Sequence, residues 1–170
     1  SPFEPLYAKI DPAADVFVSE KEALAIHDAL SRLQSGGSVP VTPSCQGLSP
    51  VPARYRSIAA DVFEAEFSAA PAAFPAALDA WRASLEQIER LSFFPLAQGL
   101  IRYEVQGRES TGLYYRVGHW QTEWQEGKLH RLTPRDEIKV TAAEPWFEDV
   151  TSALFGASPA FRDQLRFGIP

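Results

Sequence analysis

The chain has 170 residues, 45% hydrophobic and 12% aromatic, with a formal net charge of −6. That length suits one domain, able to bury roughly two-thirds of its unfolded surface without a metal or disulfide, and eleven Phe, five Tyr and four Trp argue against intrinsic disorder. The negative balance speaks against a sequence-independent grip on nucleic acid and against an anionic membrane surface, and no apolar run approaches the ~18 residues of a spanning helix.

Neither nucleic-acid binding nor membrane insertion is therefore expected. The chain contains no Met, which suggests that Ser1 is not the translational start and that the chain is a processed form, a domain or an excised piece. Its one cysteine, Cys45, has no neighbouring Lys, Arg or His to make it a reactive thiolate.

Residues 1–18 are Pro-rich and irregular. Ser19-Glu20-Lys21-Glu22 is a capping-box sequence, with Val18 and Ala23 at the staple positions. Ala23, Ile26, His27, Leu30 and Leu33 follow at helical spacing, and Gly36-Gly37 supplies a left-handed cap. A helix is predicted over 19–35. Residues 36–53 collect Gly, Ser, Pro and Thr and predict a long loop. Between Ile58 and Phe67 the alternation of Phe63, Ala65 and Phe67 with Glu64 and Glu66 fits a strand, while the Ala-rich flank allows a helix. Pro75 suits a first helical position. Leu78, Trp81, Leu85 and Ile88 form an apolar stripe, predicting a helix over 75–91.

The period then changes. Leu100–Gln106 alternates, and 113–125 is rich in aromatic and β-branched residues, the strongest strand signal in the chain. A third strand is predicted from Lys128 to Leu132, resuming near Ile138–Thr141 after Pro134. Short turns between these strands predict antiparallel pairing, and helices before a meander give an α+β order. The expected domain spans 1–143. Residues 144–170 form an apolar helical tail, or a linker to a following domain or partner, because the last stretch is rich in Trp, Phe, Leu and Ile where a terminus is usually polar.

The helices 19–35 and 75–91 followed by the meander 92–141, with the strand Tyr114-Tyr115-Arg116-Val117-Gly118-His119-Trp120 at its centre, resemble the NTF2-like or SnoaL-like fold. That resemblance implies helices packed on a curved antiparallel sheet, a cone enclosing a pocket. It covers about residues 15–141 and implies little about activity, since the family holds isomerases, dehydratases and inert assembly modules. Trp146-Phe147-Glu148-Asp149-Val150-Thr151 and Phe161-Arg162-Asp163-Gln164-Leu165 resemble the segment preceding the FG-GAP propeller of exported bacterial proteins of the ASPIC/UnbV type. This second resemblance implies export, to the periplasm, the cell surface or the exterior; the residues themselves leave a cytoplasmic place open.

Alternation on strand 113–125 puts Tyr115, His119 and Glu123 on one face and Arg116, Trp120 and Trp124 on the other. The Trp face is expected to pack on the helices, leaving His119 outside. Trp81, Tyr103, Trp120 and Trp124 could line an aromatic ligand pocket, although core packing is the simpler reading. If the chain were an enzyme of SnoaL-like type, an isomerase, dehydratase or cyclase acting on a small hydrophobic substrate, it would act through Tyr103, Tyr115, His119 or Asp61. A passive carrier of a hydrophobic ligand is a further alternative. The Arg135-Asp136-Glu137 run reads as a solvated turn. The histidines lie in separate elements without metal-binding spacing, and no GxSxG, P-loop or GxGxxG stands in the chain. No metal or cofactor is expected. The leading expectation is a non-catalytic interaction or assembly module whose partner is protein, a second copy or a following domain, with Trp146, Phe147, Phe155, Phe161 and Phe167 as contact residues.

Overall fold

A computed structural model describes residues 15–144, with side chains from residue 21. The order is α1 (Asp15–Gln34), β1 (Val41–Gly47), β2 (Pro52–Ala59), β3 (Val62–Phe67), α2 (Ala76–Ala83), β4 (Ile88–Pro95), a 3-10 turn (Ala97–Gly99), β5 (Leu100–Glu109), β6 (Gly112–Gln125) and β7 (Lys128–Ala142). Six strands run β2-β3-β7-β6-β5-β4 in one open sheet, all antiparallel, and β1 lies parallel to the first part of β7. β7 thus has two partners on its far side, β1 around Leu129–Leu132 and β3 at Ile138–Val140.

This corrects the expected fold. Residues 15–144 do not form helices packed on a curved sheet in an NTF2-like cone; among the described residues a seven-stranded, mostly antiparallel open sheet dominates, with two helices. The predicted loop 36–53 contains β1 and the start of β2. Irregular β1 carries Pro43 and a register shift, which an edge position tolerates and which hides the alternation. The predicted helix 75–91 stops at Ala83, and Ile88 opens β4. Ile88 fits the helical stripe, but Leu91 and Phe93 also alternate, and pairing of β4 with β5 from Ile88↔Gly107 to Pro95↔Ile101 outweighs local preference. The ambiguous segment 58–67 is the end of β2, a turn and β3. The tail lies outside the described residues, together with Trp146, Phe147, Phe155, Phe161 and Phe167.

α1 starts at Asp15, so Ser19 lies inside it rather than at its start. Its end follows the glycine signal: the Gly37 amide donates to the Arg32 carbonyl at 2.7 Å and Gly36 has φ +82°, the Schellman arrangement. Only the last turns meet the sheet. Ala29, Leu30 and Leu33 are buried, whereas Ala23, Leu24 and His27 are exposed. The Gln34 side chain donates to the Leu91 carbonyl at 2.7 Å and Arg82 Nε to the Leu33 carbonyl at 3.2 Å, tying α1 to β4 and to α2. No described helix is long and apolar enough to cross a membrane.

Both helices cover one sheet face. There Trp81 of α2 meets Tyr103 and Trp120 edge-on, with centroids 5.2 and 4.8 Å apart, and Phe93 closes the group. Trp81, Tyr103 and Trp120 are all at 0% exposure. Among the described residues the indole N–H groups of Trp81 and Trp120 have no hydrogen-bond acceptor. Trp124 is half-buried, and its Nε1 donates to Thr122 Oγ1 at 2.8 Å. Glu123, on the opposite face, is 56% exposed.

Trp120 fills space shared by α2, β4 and β5, so Trp120→Ala should cost about 3–5 kcal/mol in denaturant unfolding. A variant unfolding with the parent would show that this aromatic group is not the core.

Candidate functional site

The covered face divides lengthwise into an apolar half under the helices and a polar half beyond them. Cross-strand registers build the polar half row by row. Tyr103, Gly118 and Glu137 form one row across β5, β6 and β7; Val105, Arg116 and Lys139 form the next; Gly107, Tyr114 and Thr141 follow. Side chains opposite one another on antiparallel strands share a face, so Arg116, Glu137 and Lys139 all point inward.

Glu137 is at 0% exposure. Arg116 Nε donates to its Oε1 and Nη2 to its Oε2, both at 2.9 Å. The Tyr55 hydroxyl donates to Oε1 and the Tyr103 hydroxyl to Oε2. Each carboxylate oxygen thus receives one guanidinium N–H and one phenol, filling the acceptor sites of an ionised carboxylate. Gly118 makes this reach possible: a Cβ there would fall on the Tyr103 hydroxyl and 2.6 Å from the Asp136 carbonyl. Only a residue without a side chain lets the phenol cross β6 to a carboxylate two strands away. Tyr114 uses Gly107 likewise, and its hydroxyl donates to the Glu86 carbonyl at 2.6 Å.

Burial first, then the facing Glu137, raises the pKa of both Tyr55 and Tyr103, so these phenols keep their protons well beyond the usual tyrosine range. Burial opposes the Arg116 charge, but Glu137 and the two phenols outweigh it and the net shift is upward. Beside this network Lys139 Nζ lies 5.6 and 5.7 Å from the ring centres of Tyr55 and Tyr114, within cation–π range, and 2.7 Å from Glu109 Oε2.

The residues singled out from sequence are dispersed. Tyr103 is in the buried network and Tyr115 is exposed on the opposite face. His119 shares that outer face; its Nδ1 is 2.7 Å from Asp136 Oδ1, in a wide shallow hollow with Gln98, Gln121 and Arg135. Asp61 is exposed at the β2–β3 turn with φ 59°, a left-handed conformation that Asp tolerates. The four therefore share no site. Trp81, Tyr103 and Trp120 fill the core, and neither they nor Trp124 line the hollows at Arg116 and His119. Cys45 is half-buried on β1, and burial raises its thiol pKa. Among the described residues no three His, Cys, Asp or Glu side chains gather in a metal-binding group.

Sequence reasoning missed Tyr55, Glu137, Lys139 and Glu109. The Arg135-Asp136-Glu137 run, read as a solvated turn, lies within β7, and Glu137 is buried. A usable signal stood in the chain: Arg116 falls on the Trp face, and a buried guanidinium requires a carboxylate.

The raised phenol pKa values make stability depend on alkaline pH. Both phenols stay protonated in the fold after unfolded tyrosines ionise near pH 10, so their contribution is complete below about pH 10 and falls above it, by about 1.4 kcal/mol per pH unit for each. Tyr103→Phe should lower stability at pH 8 and flatten the decline between pH 10 and 11, measured by urea unfolding. An unchanged alkaline slope would show that Tyr103 is not held protonated by this network.

No protein-family model, no curated protein and no solved structure matches this chain.

Proposed function

We propose that this domain is a non-catalytic interaction or assembly module of a larger exported protein. The observation that carries it is the closed pairing of the interior charges. An acid–base catalyst needs a group that exchanges a proton near the working pH and reaches substrate. Instead, Glu137 has all its acceptor positions occupied, and its three partners are each shifted upward, away from neutrality. The His119–Asp136 pair lies on the outer face, and no Ser, Cys or Thr accompanies it in its hollow, so the pair lacks the nucleophile of a triad. The candidates for the SnoaL-like enzymatic alternative, Tyr103, Tyr115, His119 or Asp61, lie in the buried network, on the outer face and at the β2–β3 turn. Export rests on the resemblance of segment 146–165 alone.

Interaction is supported by the outer sheet face, which no described helix covers. Phe94 and Tyr115 are each 39% exposed, and Leu96, just past the end of β4, is 46% exposed. Exposed aromatic side chains are common contact anchors.

Two measurements test the two halves of this reading. Preorganised catalytic groups are often held at a cost in stability, so neutralising one leaves the fold unchanged or stabilised. A structural carboxylate behaves oppositely: Glu137→Gln should cost about 3–5 kcal/mol, because Arg116 loses its buried counter-charge. A Glu137→Gln protein as stable as the parent would overturn the non-catalytic reading. For assembly, sedimentation velocity should show the intact protein associating, and Phe94→Glu with Tyr115→Glu should abolish this with the melting temperature preserved. Association unaffected by the double substitution would exclude the outer face.

A further inference from the structure

A hollow of about 240 Å³ opens beside the buried network, with Tyr55, Tyr114, Arg116, Lys139 and Glu109 in its wall and Val51 and Pro52 as its apolar side. Its polar groups are only partly used. Arg116 spends Nε and Nη2 on Glu137. Its Nη1 makes no hydrogen bond among the described residues and is not among the buried unpartnered atoms, so this edge opens on the hollow although the side chain is only 6% exposed. Lys139 Nζ uses one of three donors, on Glu109, and is centred between the two tyrosine rings. Among the described residues Glu109 Oε1 receives only the Thr111 hydroxyl, at 3.1 Å.

The charge layout selects the ligand. Arg116 is balanced by Glu137 and Lys139 by Glu109, and Glu86 adds a further negative charge to the lining. A simple anion therefore gains no net attraction, and a simple cation meets two cationic side chains. A molecule carrying both signs satisfies both ends: its carboxylate accepts from Arg116 Nη1 and Lys139, its ammonium donates to Glu109, and an aliphatic body lies on Val51 and Pro52. At ~30 Å³ per water the hollow holds about eight waters, close to the size of a nine-heavy-atom amino acid.

We propose that this hollow binds a free α-amino acid with a modest apolar side chain; the proposal rests on the non-catalytic reading above and gives the module a small-molecule ligand. The frame is preorganised, since Glu137 fixes both Arg116 and Tyr55.

Saturation-transfer NMR on the intact chain tests it with three probes: L-leucine, 4-methylpentanoate (leucine without its ammonium) and 3-methylbutylamine (leucine without its carboxylate). L-Leucine should bind, and each analogue should bind at least about tenfold more weakly, the loss of one charge-assisted contact. Lys139→Met should abolish leucine binding, and Glu109→Gln should weaken leucine without weakening 4-methylpentanoate, with circular dichroism confirming that at least one variant is folded. No transfer to leucine, equal binding of either analogue, or leucine binding undiminished in the folded variants would overturn the proposal. Those failures leave the non-catalytic reading standing. Conversion of leucine during the experiment would overturn that reading and, with it, the proposal of a binding module.

Discussion

Moving a carboxylate and a guanidinium out of water costs several kcal/mol per ion, and the cost is recovered only when geometry is good and every remaining polar atom is satisfied. Glu137 meets that condition through four donors drawn from three other strands: Arg116 of β6, Tyr103 of β5 and Tyr55 of β2. The pairing therefore constrains register across most of the sheet. A one-residue slip of any of these strands would turn its side chain to the opposite face and leave a buried charge with an open position. Gly118 belongs to the same constraint, because the Tyr103 phenol crosses β6 at that point.

The phase of β7 depends on its irregularities. Leu132 and Pro134 face the covered side, yet so do Glu137 and Lys139, an odd step that simple alternation forbids. The step is a bulge: His119 pairs with Asp136 and Trp120 with Pro134, leaving Arg135 unmatched. Pro134 has no N–H to give the ladder, and such positions gather at bulges. Without the extra residue Glu137 would face solvent, and Arg116 would be buried without a counter-ion. An apparent interruption of the strand is thus what delivers the carboxylate to its partners.

Local signals were legible where one periodicity ruled. The glycine cap of α1 and the faces of β6, with Trp120 inside and Glu123 outside, follow from spacing alone. Three features blurred the rest. Irregular β1 carries a proline, β4 begins with residues that also fit a helical stripe, and β7 changes phase twice, near Trp124 and near Trp120. In each case cross-strand pairing, a non-local interaction, decides the structure. The excess of strand over helix that overturns the expected cone comes from those segments.

The two halves of the covered face also differ in what fixes them. Under the helices, Trp81, Phe93, Tyr103 and Trp120 interlock by shape, a contact that tolerates small readjustment. Around Glu137 the fixing is directional, since each donor has one acceptor and one angle. Tyr103 belongs to both, its ring packed in the aromatic group and its hydroxyl on the carboxylate. The polar half is thereby anchored to the hydrophobic core, and Glu137 holds Arg116 and Tyr55 in place beside the hollow. A wall of that kind spends little conformational entropy when something binds, and this favours the hollow at Arg116 over the shallow one at His119, whose Asp136 partner is 61% exposed and has no such anchor.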